Sequence, residues 1–475
     1  MSPSQEPEML DRLRSALSGR DSSVSYAEIR FQSRTVSEVA FVNGELDRIR
    51  AVESSGSGIR VLSGGSWGFA ATSDSALSSL RKALSDSVSL ARVISERPGG
   101  IRSRKLAECK MEKGRFSPPV NGELCSVDME QKVAVTRQAE AAAKKHSKAI
   151  RTSSCTYREI IDYKAIVNTD GAELEIFDSK PEFNVSAVAK LNGETATASE
   201  GLGITGGWVD LFDKKSHLDY AYEAAEKAEK LAAAKYPPGE KTSIILDPGM
   251  VGLLCHEAIG HTVEADFVLS GSVASKRLGQ PVASAGVTLV DSGSSDLAKN
   301  AGGSIAVDDE GVAASRVPII EKGELVSYLH NRETAQEFGV RPTGNARAFG
   351  YSDEPLIRMR NTYIEPGNSD LDEIIKETHH GYLVRGARNG QADANGEFMF
   401  GAQEAYLIEA GELKTLFKGA SISGSAFEVL GSIDMLGSRF EYDMGAGYCG
   451  KYQPAKVDGG GPYLRCTAVI GGLQG

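Results

Sequence analysis

Cysteine and histidine are scarce in this chain of 475 residues, which contains six cysteines and seven histidines. The cysteines lie far apart and no two of them form a C-x-x-C pair, so the pattern does not provide a disulfide framework. Thiols that stay unpaired are typical of a reducing compartment. The sequence therefore indicates a cytoplasmic location.

Long apolar runs are also missing, and none approaches the roughly 20 residues that a membrane-spanning helix needs. The first residues, MSPSQEPEMLDRLRSALSG, lack the apolar centre of a secretory signal. There is no excess of basic residues either, since 64 Asp and Glu outnumber 53 Lys and Arg. We therefore expect no membrane association and no direct nucleic-acid binding as the main role.

Glycine, in contrast, is abundant, with 52 residues against 16 prolines, which favours tight turns and β structure. An amphipathic helix is expected over about residues 6–18, and a β-hairpin with its turn at Asn43-Gly44. Two similar stretches, IIEKGEL (319–325) and LIEAGEL (407–413), predict equivalent hairpins. Further helices are expected in ALSSLRKALSDSVSLARVIS, MEQKVAVTRQAEAAAKKHSKAI and LDYAYEAAEKAEKLAAAK.

Composition changes divide the chain into three predicted units. A stretch rich in charge, Gly and Pro ends the first unit, and YPPGEK ends the second, because prolines beside glycine are typical of boundaries. The units are an N-terminal α+β domain (1–105), a central α+β region (106–240) and a C-terminal β-rich domain (241–475). The expected fold class is α+β.

The stretch LLCHEAIGHTVEADF (253–267) places His256, Glu257 and His261 within six residues. With so few histidines in the chain, composition alone does not predict such a pair. A neutral imidazole is a good zinc ligand, and a glutamate beside it can take a proton from water. The stretch is therefore a candidate metal site.

The spacing of the two histidines differs from that in H-E-x-x-H, where they are four residues apart. In an α-helix, residues four apart lie ~40° apart around the axis, whereas residues five apart lie ~140° apart. A π-bulge would bring His256 and His261 back to one face, and Gly260 is a place where the backbone can yield. Spacing alone leaves two interpretations open: a metal site on a distorted helix, or a core His256 with a surface His261.

The motif HEAIGHTVEAD resembles the H-E-x-x-x-H signature of the TldD/PmbA family of metallopeptidases, some of which are known as modulators of DNA gyrase. The segment FVNGEL is similar to the family's first domain. Three later segments resemble its C-terminal domain: PTGNARAFGYSDEPLIRMRNTYIEPG (342–367), GEFMFGAQEAYLIEAGEL, and YCGK with GGGPYLRCTAVIGG. The resemblance implies an α/β N-terminal region followed by a β-rich, barrel-like C-terminal domain that carries the metal-site helix.

In that family a cysteine near the C-terminus completes the metal site, and the matching residue here is Cys449. The resemblance therefore implies that His256, His261 and Cys449 hold Zn²⁺, for which a thiolate is a good ligand. Glu264 and Asp266 are rival oxygen ligands. We expect them instead to support the ligands or to contact substrate.

Asn345, Arg347 and Arg358 lie in another segment that matches the family. Because Arg presents a planar fork of donors, these residues are candidates to clamp a peptide backbone or carboxylate. The alternative is that their hydrogen bonds tether loops of the chain itself.

The resemblance implies a zinc-dependent peptidase that hydrolyses extended or unfolded peptides, with Glu257 as general base. It also implies a dimer, either a homodimer or a heterodimer with a paralogous subunit. The competing hypothesis is a non-catalytic, metal-binding regulatory or partner subunit. Retention of Glu257 favours catalysis, because a structural zinc site needs no general base.

Overall fold

The computed structural model describes residues 6–96, 103–294, 297, 300–442 and 447–472. The α-helices in these ranges are α1 (Glu6–Leu17), α2 (Leu77–Ser95), α3 (Met129–Lys145), α4 (Trp208–Leu211), α5 (His217–Ala233), α6 (Pro248–Leu253), α7 (Ala265–Leu269), α8 (Arg332–Phe338), α9 (Leu371–Lys376) and α10 (Ala426–Gly431). Two 3₁₀ turns cover Leu124–Ser126 and His261–Val263, and a π-helical turn covers Leu254–Gly260.

The strands fall into an N-terminal and a C-terminal group. The first group is β1 (Val24–Val42), β2 (Glu45–Ser63), β3 (Ser66–Thr72), β4 (Lys113–Phe116), β5 (Ile150–Asn168), β6 (Glu173–Leu191) and β7 (Glu194–Gly203). The second group is β8 (Glu240–Leu246), β9 (Leu289–Ser292), β10 (Val317–Glu321), β11 (Glu324–Leu325), β12 (Ala346–Arg347), β13 (Leu356–Ile357), β14 (Asn361–Ile364), β15 (His380–Ala392), β16 (Glu397–Glu409), β17 (Glu412–Lys418), β18 (Ala420–Ser425), β19 (Met435–Leu436), β20 (Glu441–Tyr442), β21 (Tyr448–Lys451), β22 (Gln453–Lys456), β23 (Asp458–Gly461) and β24 (Leu464–Gly472).

The N-terminal strands form one seven-stranded sheet in the order β3-β2-β1-β5-β6, with β4 and β7 both pairing with β6. Strands β1, β2, β5 and β6 are long enough that one group of helices packs at one end of the sheet and a second group at the other. Helices α1 and α2 pack on one end of the sheet, where Leu13 and Leu84 join the apolar cluster of Ile29. Helices α3 and α5 pack on the other end against Tyr157 and Phe183.

The C-terminal strands contain a closed barrel of five, because β8 pairs with β24, then β18, β16 and β15, and β15 pairs back to β8. A second sheet, β11-β10-β9-β14-β23-β20, lies beside it. Barrel, second sheet and the π-helical turn share one apolar core that includes Ile244, Leu254, Leu289 and Phe400. The turn that carries the two histidines is thus enclosed by the most extensive core of the protein.

Two ion pairs, one half-buried and one buried, connect the N-terminal sheet to the C-terminal part. Lys164 on β5 contacts Asp309 at 2.7 Å, and Lys456 on β22 reaches Glu182 on β6 at 3.0 Å. Because a buried charge is costly without its partner, such pairs favour one placement of the two parts.

The predicted class is confirmed: the fold is α+β, and its C-terminal part contains a closed β-barrel. The helices expected from periodicity are α1, α2, α3 and α5. Both residues of the Asn43-Gly44, Lys322-Gly323 and Ala410-Gly411 turns have positive φ, as a type I′ hairpin turn requires. The two similar stretches therefore form equivalent hairpins, although they belong to different sheets.

The predicted units 1–105 and 106–240 contribute to a single sheet, because β1 pairs with β5 over fifteen residue pairs from Glu28–Asn168 to Val42–Ser154. The domain boundaries themselves stay a prediction. Among the residues that the structure describes, no helix is both long and apolar enough to cross a bilayer.

The pair formed by Asp291 and Arg360 provides a test of the C-terminal fold, since both side chains are 0 % exposed. Asp291 accepts hydrogen bonds from Arg360 Nε at 2.7 Å and from Asn345 Nδ2 at 2.8 Å. Replacing Asp291 with alanine leaves a buried guanidinium without its carboxylate, so the free energy of unfolding should fall by about 3–5 kcal/mol. Chemical denaturation measures this.

The control for Asp291→Ala is Glu365→Ala, which breaks the partly exposed pair of Glu365 with Arg316. Exposed pairs contribute little, so this variant should lose less than about 1 kcal/mol. An equal loss of unfolding free energy in the two variants would contradict the conclusion that the buried pair stabilises the fold more than the exposed pair.

Candidate metal centre

The segment that carries His256 and Glu257 begins with a well-formed helix start. Asp247 precedes α6 and accepts a hydrogen bond from Met250 N at 2.8 Å, while Pro248 occupies the first helical position. Both features are typical of helix N-termini. All six residues of α6 are buried, so the helix enters the core at once.

After α6 the chain widens into the π-helical turn Leu254–Gly260 and then tightens into the 3₁₀ turn that begins at His261. A π-turn closes i→i+5 hydrogen bonds, so it places residues five apart on one side of the helix. The rings of His256 and His261 accordingly lie side by side, edge to face, with centroids 5.1 Å apart and ring planes at 80°. The spacing that an α-helix would not allow is therefore accommodated.

Gly260 is important because it has no side chain, and not because its backbone adopts an unusual conformation. Its φ and ψ are −54° and −49°, ordinary right-handed helical values that any residue adopts. A Cβ atom at this position would lie 1.9 Å from Met359 Sδ. The sequence-based expectation that Gly260 lets the backbone yield is thus corrected: glycine is needed because Met359 fills the place of a side chain.

Cys449 reaches the two histidines from β21, which forms a small hairpin with β22. Its Sγ lies 3.1 Å from His261 Nε2, and one donor atom from each of His256, His261 and Cys449 lies within 4.8 Å of the others. Residues 188 positions apart in sequence are therefore brought together. Among the described residues, this is the group of His, Cys, Asp or Glu donors that is close enough to hold a metal ion.

These donors fit zinc. Two imidazole nitrogens and one thiolate sulfur are a common zinc ligand set, and three protein ligands leave a fourth position open, as in catalytic sites. His256 is 1 % exposed, and its Nδ1 has no hydrogen-bond partner in the part of the chain that the structure describes. The ring is thus available to a ligand that these residues do not supply.

The electrostatics of the site favour an ionised thiol. Burial alone would raise the pKa of Cys449, but the hydrogen bonds and charges of His256 and His261 lower it to about 4. Burial would lower the pKa of His261, but its contacts with Cys449 and Glu264 raise it to about 10. Without metal, Cys449 and His261 thus form a thiolate–imidazolium pair.

Glu264 holds His261 from the other side of the ring, with its Oε2 3.0 Å from Nδ1. The carboxylate is 0 % exposed and also lies 3.2 Å from Lys451 Nζ. Lys451 in turn contacts Asp266 at 2.7 Å. Glu264 thus orients a ring of the candidate metal site directly, whereas Asp266 acts through Lys451.

Lys451 is a residue of the site that the sequence interpretation missed. Its side chain is 3 % exposed, and its ammonium lies 4.4 Å from the centre of the Phe267 ring. Alternation along β21 was the available signal, because residues two apart in a strand share a face and Lys451 follows Cys449 by two. A lysine on the same face as a candidate metal ligand requires a partner for its charge.

A cavity of about 480 Å³ opens beside the three donor residues. Its lining includes Glu257 and His261 on the helical segment, residues 390–394 at the end of β15 and residues 450–452 of the β21–β22 hairpin. Glu257 is half-buried and faces this space. A chain entering the cavity would therefore meet the carboxylate next to the candidate metal site.

Asn345, Arg347 and Arg358 are not part of the cavity lining. Asn345 and Arg358 are 0 % exposed, and Asn345 donates to Asp291 and to the Arg358 carbonyl. Arg358 donates to the carbonyls of Cys449 and Gln453, both at 2.6 Å. Apart from Arg358 Nε, which has no partner among the described residues, these contacts are made within the protein, which favours the loop-tethering alternative. The substrate clamp stays a prediction.

Arg347 behaves in the same way. It donates to the carbonyls of Met359 at 2.6 Å and Lys456 at 2.7 Å. Burial and the charge of Arg358 lower its pKa to about 10, which still leaves it charged at neutral pH.

Family models match three consecutive parts of the chain. These are PmbA/TldA metallopeptidase domain 1 at residues 27–91, the central domain at 122–232 and the C-terminal domain at 239–471. The chain belongs to the PmbA/TldD family of metallopeptidases. The family inferred from HEAIGHTVEAD is therefore confirmed.

Curated members of the PmbA/TldD family align over almost the full length. A metalloprotease of Methanothermobacter thermautotrophicus is 32 % identical over 471 residues, which cover 97 % of this chain and 99 % of the relative. A zinc metalloprotease TldD homolog of Saccharolobus solfataricus is 29 % identical, covering 94 % and 97 %.

Solved structures share the fold. A Thermotoga maritima protein named for modulation of a DNA gyrase matches with a TM-score of 0.79 at 22 % identity, covering 98 % of this chain and all of that one. TldE from Thermococcus kodakarensis matches with a TM-score of 0.76 at 17 % identity, covering 98 % and 99 %. At these identities the likeness concerns the fold alone.

The packing around Gly260 leads to a stability prediction. Gly260→Ala places a methyl group against Met359, so the free energy of unfolding should fall by about 1–3 kcal/mol. The shifted helix should also bind zinc more weakly, measured by titration calorimetry. Gly431→Ala is the matched control, because a Cβ there meets no atom within 4 Å, and it should change neither property.

The lowered pKa of Cys449 can be tested in metal-free protein through the ultraviolet absorbance of the thiolate. A pKa of about 4 predicts that the absorbance lost in Cys449→Ser is the same at about pH 6 and about pH 8. Cys125→Ser is the control, because burial and Glu123 raise the pKa of that exposed thiol and it stays protonated over this range. A Cys449 signal that disappears below about pH 8 would contradict the ion pair.

Proposed function

We propose that this protein is a zinc-dependent peptidase that hydrolyses extended or unfolded peptides. The observation that supports this most strongly is the convergence of His256, His261 and Cys449 beside a cavity into which Glu257 projects. Membership of a metallopeptidase family and the zinc metalloprotease named among the relatives point the same way.

In this proposal His256, His261 and Cys449 hold the zinc ion, and Glu264 keeps the His261 ring in place through its 3.0 Å contact with Nδ1. When bound, zinc supplies a Lewis acid that polarises the scissile carbonyl and lowers the pKa of water. In the metal-free pair the proton lies on His261 and not on Cys449, so binding of the cation would release a proton from the imidazole and none from the sulfur.

Glu257 is the proposed general base. From its place in the cavity lining, its carboxylate takes a proton from the attacking water and later passes that proton to the leaving amine. A structural zinc site has no use for a carboxylate in this position, since its four ligands are usually all from protein.

The edge of β15 is the proposed place where substrate binds. β15 pairs with β8 only from Gly381 to Val384, while its opposite edge pairs with β16 as far as Ala392. Within the described residues, the edge beyond Val384 therefore has no partner strand, and its residues 390–392 line the cavity. A peptide added there by main-chain hydrogen bonds would be held with little dependence on its side chains.

The proposed assembly is a dimer, either of two copies or of this chain with a paralogous subunit. Support comes from family membership and from the fold shared with TldE. The proposed location is the cytoplasm, and support for it comes from the six cysteines, which are all free thiols.

The role of Glu257 separates the proposed peptidase from a regulatory metal-binding subunit. Glu257→Gln removes the base while keeping the shape of the side chain, so kcat/KM for an unstructured peptide should fall by about 10²- to 10⁴-fold. The variant should retain its zinc, measured by atomic absorption. Glu412→Gln, at an exposed strand end outside the cavity, is the matched control and should cleave normally.

Cleavage by the unmodified protein should stop with a chelator and return with zinc. A zinc-loaded, folded protein that cleaves no peptide would support the regulatory-subunit hypothesis. Normal cleavage by Glu257→Gln would show that another group takes the proton.

A further inference from the structure

Tyr452 differs from the other large side chains of the described surface. Its side chain is 97 % exposed, whereas the next most exposed apolar or aromatic residue, Val93, is 56 % exposed. Tyr452 forms the turn between β21 and β22, the hairpin that also carries Cys449. An aromatic ring that gains nothing from burial in its own chain needs another explanation for its position.

The backbone of Tyr452 adopts a conformation that tyrosine disfavours, with φ at 61°. Glycine or asparagine adopts such left-handed values at lower cost, and other residues are held there in tight turns, as at Lys322 and Ala410, or at functional sites. The strained backbone keeps the ring outside the protein surface. This conformation is therefore maintained by the neighbouring residues and not by Tyr452 itself.

The residues on either side of Tyr452 are firmly held. Lys451 is buried among Glu264 and Asp266. Gln453 is 7 % exposed, its carbonyl accepts from Arg358, and its side chain accepts from Phe349 N at 2.6 Å. Both ends of the turn are thus fixed, so the ring projects from a rigid support and its exposure does not result from a loose loop.

Tyr452 also lies at the cavity of the metal centre. It lines that cavity together with Glu257, His261 and residues 390–392 of the free edge. A peptide lying along this edge and reaching Glu257 would share the cavity with the Tyr452 ring. The ring is placed to contact that peptide.

We propose that Tyr452 is a substrate-binding residue whose ring packs on the backbone and side chains of a peptide held along the edge of β15. The inference rests on the proposed function, because it takes a peptide as the occupant of the cavity. Aromatic rings bury a large area at low entropic cost and contact many different groups, so this contact adds affinity without selecting one side chain.

The test measures binding separately from cleavage. The full-length, zinc-loaded Glu257→Gln protein is titrated into a fluorescently labelled, unstructured peptide of about ten residues, and fluorescence anisotropy gives Kd. Adding Tyr452→Ala should raise Kd about tenfold, whereas Tyr452→Phe should stay within about twofold of the parent. Tyr222→Ala, which removes an exposed tyrosine on α5, is the matched control and should leave Kd unchanged.

Tyr452→Gly excludes unfolding as the cause of weaker binding. Glycine adopts the observed φ without strain, so this variant should keep or raise Tm while binding as weakly as Tyr452→Ala. A Kd for Tyr452→Ala within twofold of the parent overturns the proposal, and so does a parent that binds no peptide.

Light scattering without peptide identifies the competing role of Tyr452 as a subunit contact. If Tyr452→Ala dissociates an assembly that the unmodified protein forms, the ring serves that contact and the proposal is overturned. Binding that depends on Tyr452 in a protein that never cleaves would overturn the proposed catalysis and support the inference about Tyr452. The two failures are therefore distinguishable.

Discussion

The π-helical turn Leu254–Gly260 is the constraint on which the geometry of the site depends, because it alone brings His256 and His261 to one side. Such turns are rare and occur mostly where function requires them. Here the preceding helix is buried completely, and Met359 occupies the space beside Gly260. The histidines cannot separate without unpacking the largest core of the protein, so their positions are fixed before any ion binds.

The position of Cys449, the third donor residue, depends on hydrogen bonds and not on helix geometry. Three cationic side chains fix the hairpin of Cys449 through hydrogen bonds to main-chain carbonyl oxygens. Arg358 donates to the carbonyls of Cys449 and Gln453, and Arg347 donates to that of Lys456. Lys451, on the hairpin itself, donates to the carbonyl of Ile357. Each bond is made to the main chain, so it fixes where the hairpin lies. The thiolate itself is stabilised by the hydrogen bonds and charges of His256 and His261, which lower the pKa of Cys449.

Local sequence patterns predicted the features that depend on neighbouring residues. The helices α1, α2, α3 and α5, the type I′ turn at Asn43-Gly44 and the placement of two histidines in one helical segment all follow from spacing over a few residues. The alternation that puts Cys449 and Lys451 on one face was also present, but it did not reveal which residues Lys451 would meet.

Features that depend on residues far apart in the sequence could not be predicted from local patterns. Closure of the barrel depends on β15 pairing with β8 across about 140 residues, and no local pattern encodes that register. The roles of Asn345 and Arg358 could not be predicted either, because their N–H donors can bind a substrate or a carbonyl of the chain equally well. Which of these they bind depends on residues elsewhere in the chain. The residue types indicated which groups these side chains could bind, whereas the fold determines which partners they bind.

The walls of the cavity suggest how selectivity arises. A strand edge recognises the peptide backbone, and an aromatic ring contacts many side chains, so neither distinguishes one sequence strongly from another. In the proposed function, access would distinguish substrates, because a cavity of about 480 Å³ is far smaller than a folded domain but has room for part of an extended chain. In the proposed function, selectivity for unfolded chains would follow from this restricted access, because a peptide without structure of its own can extend along the strand edge to Glu257.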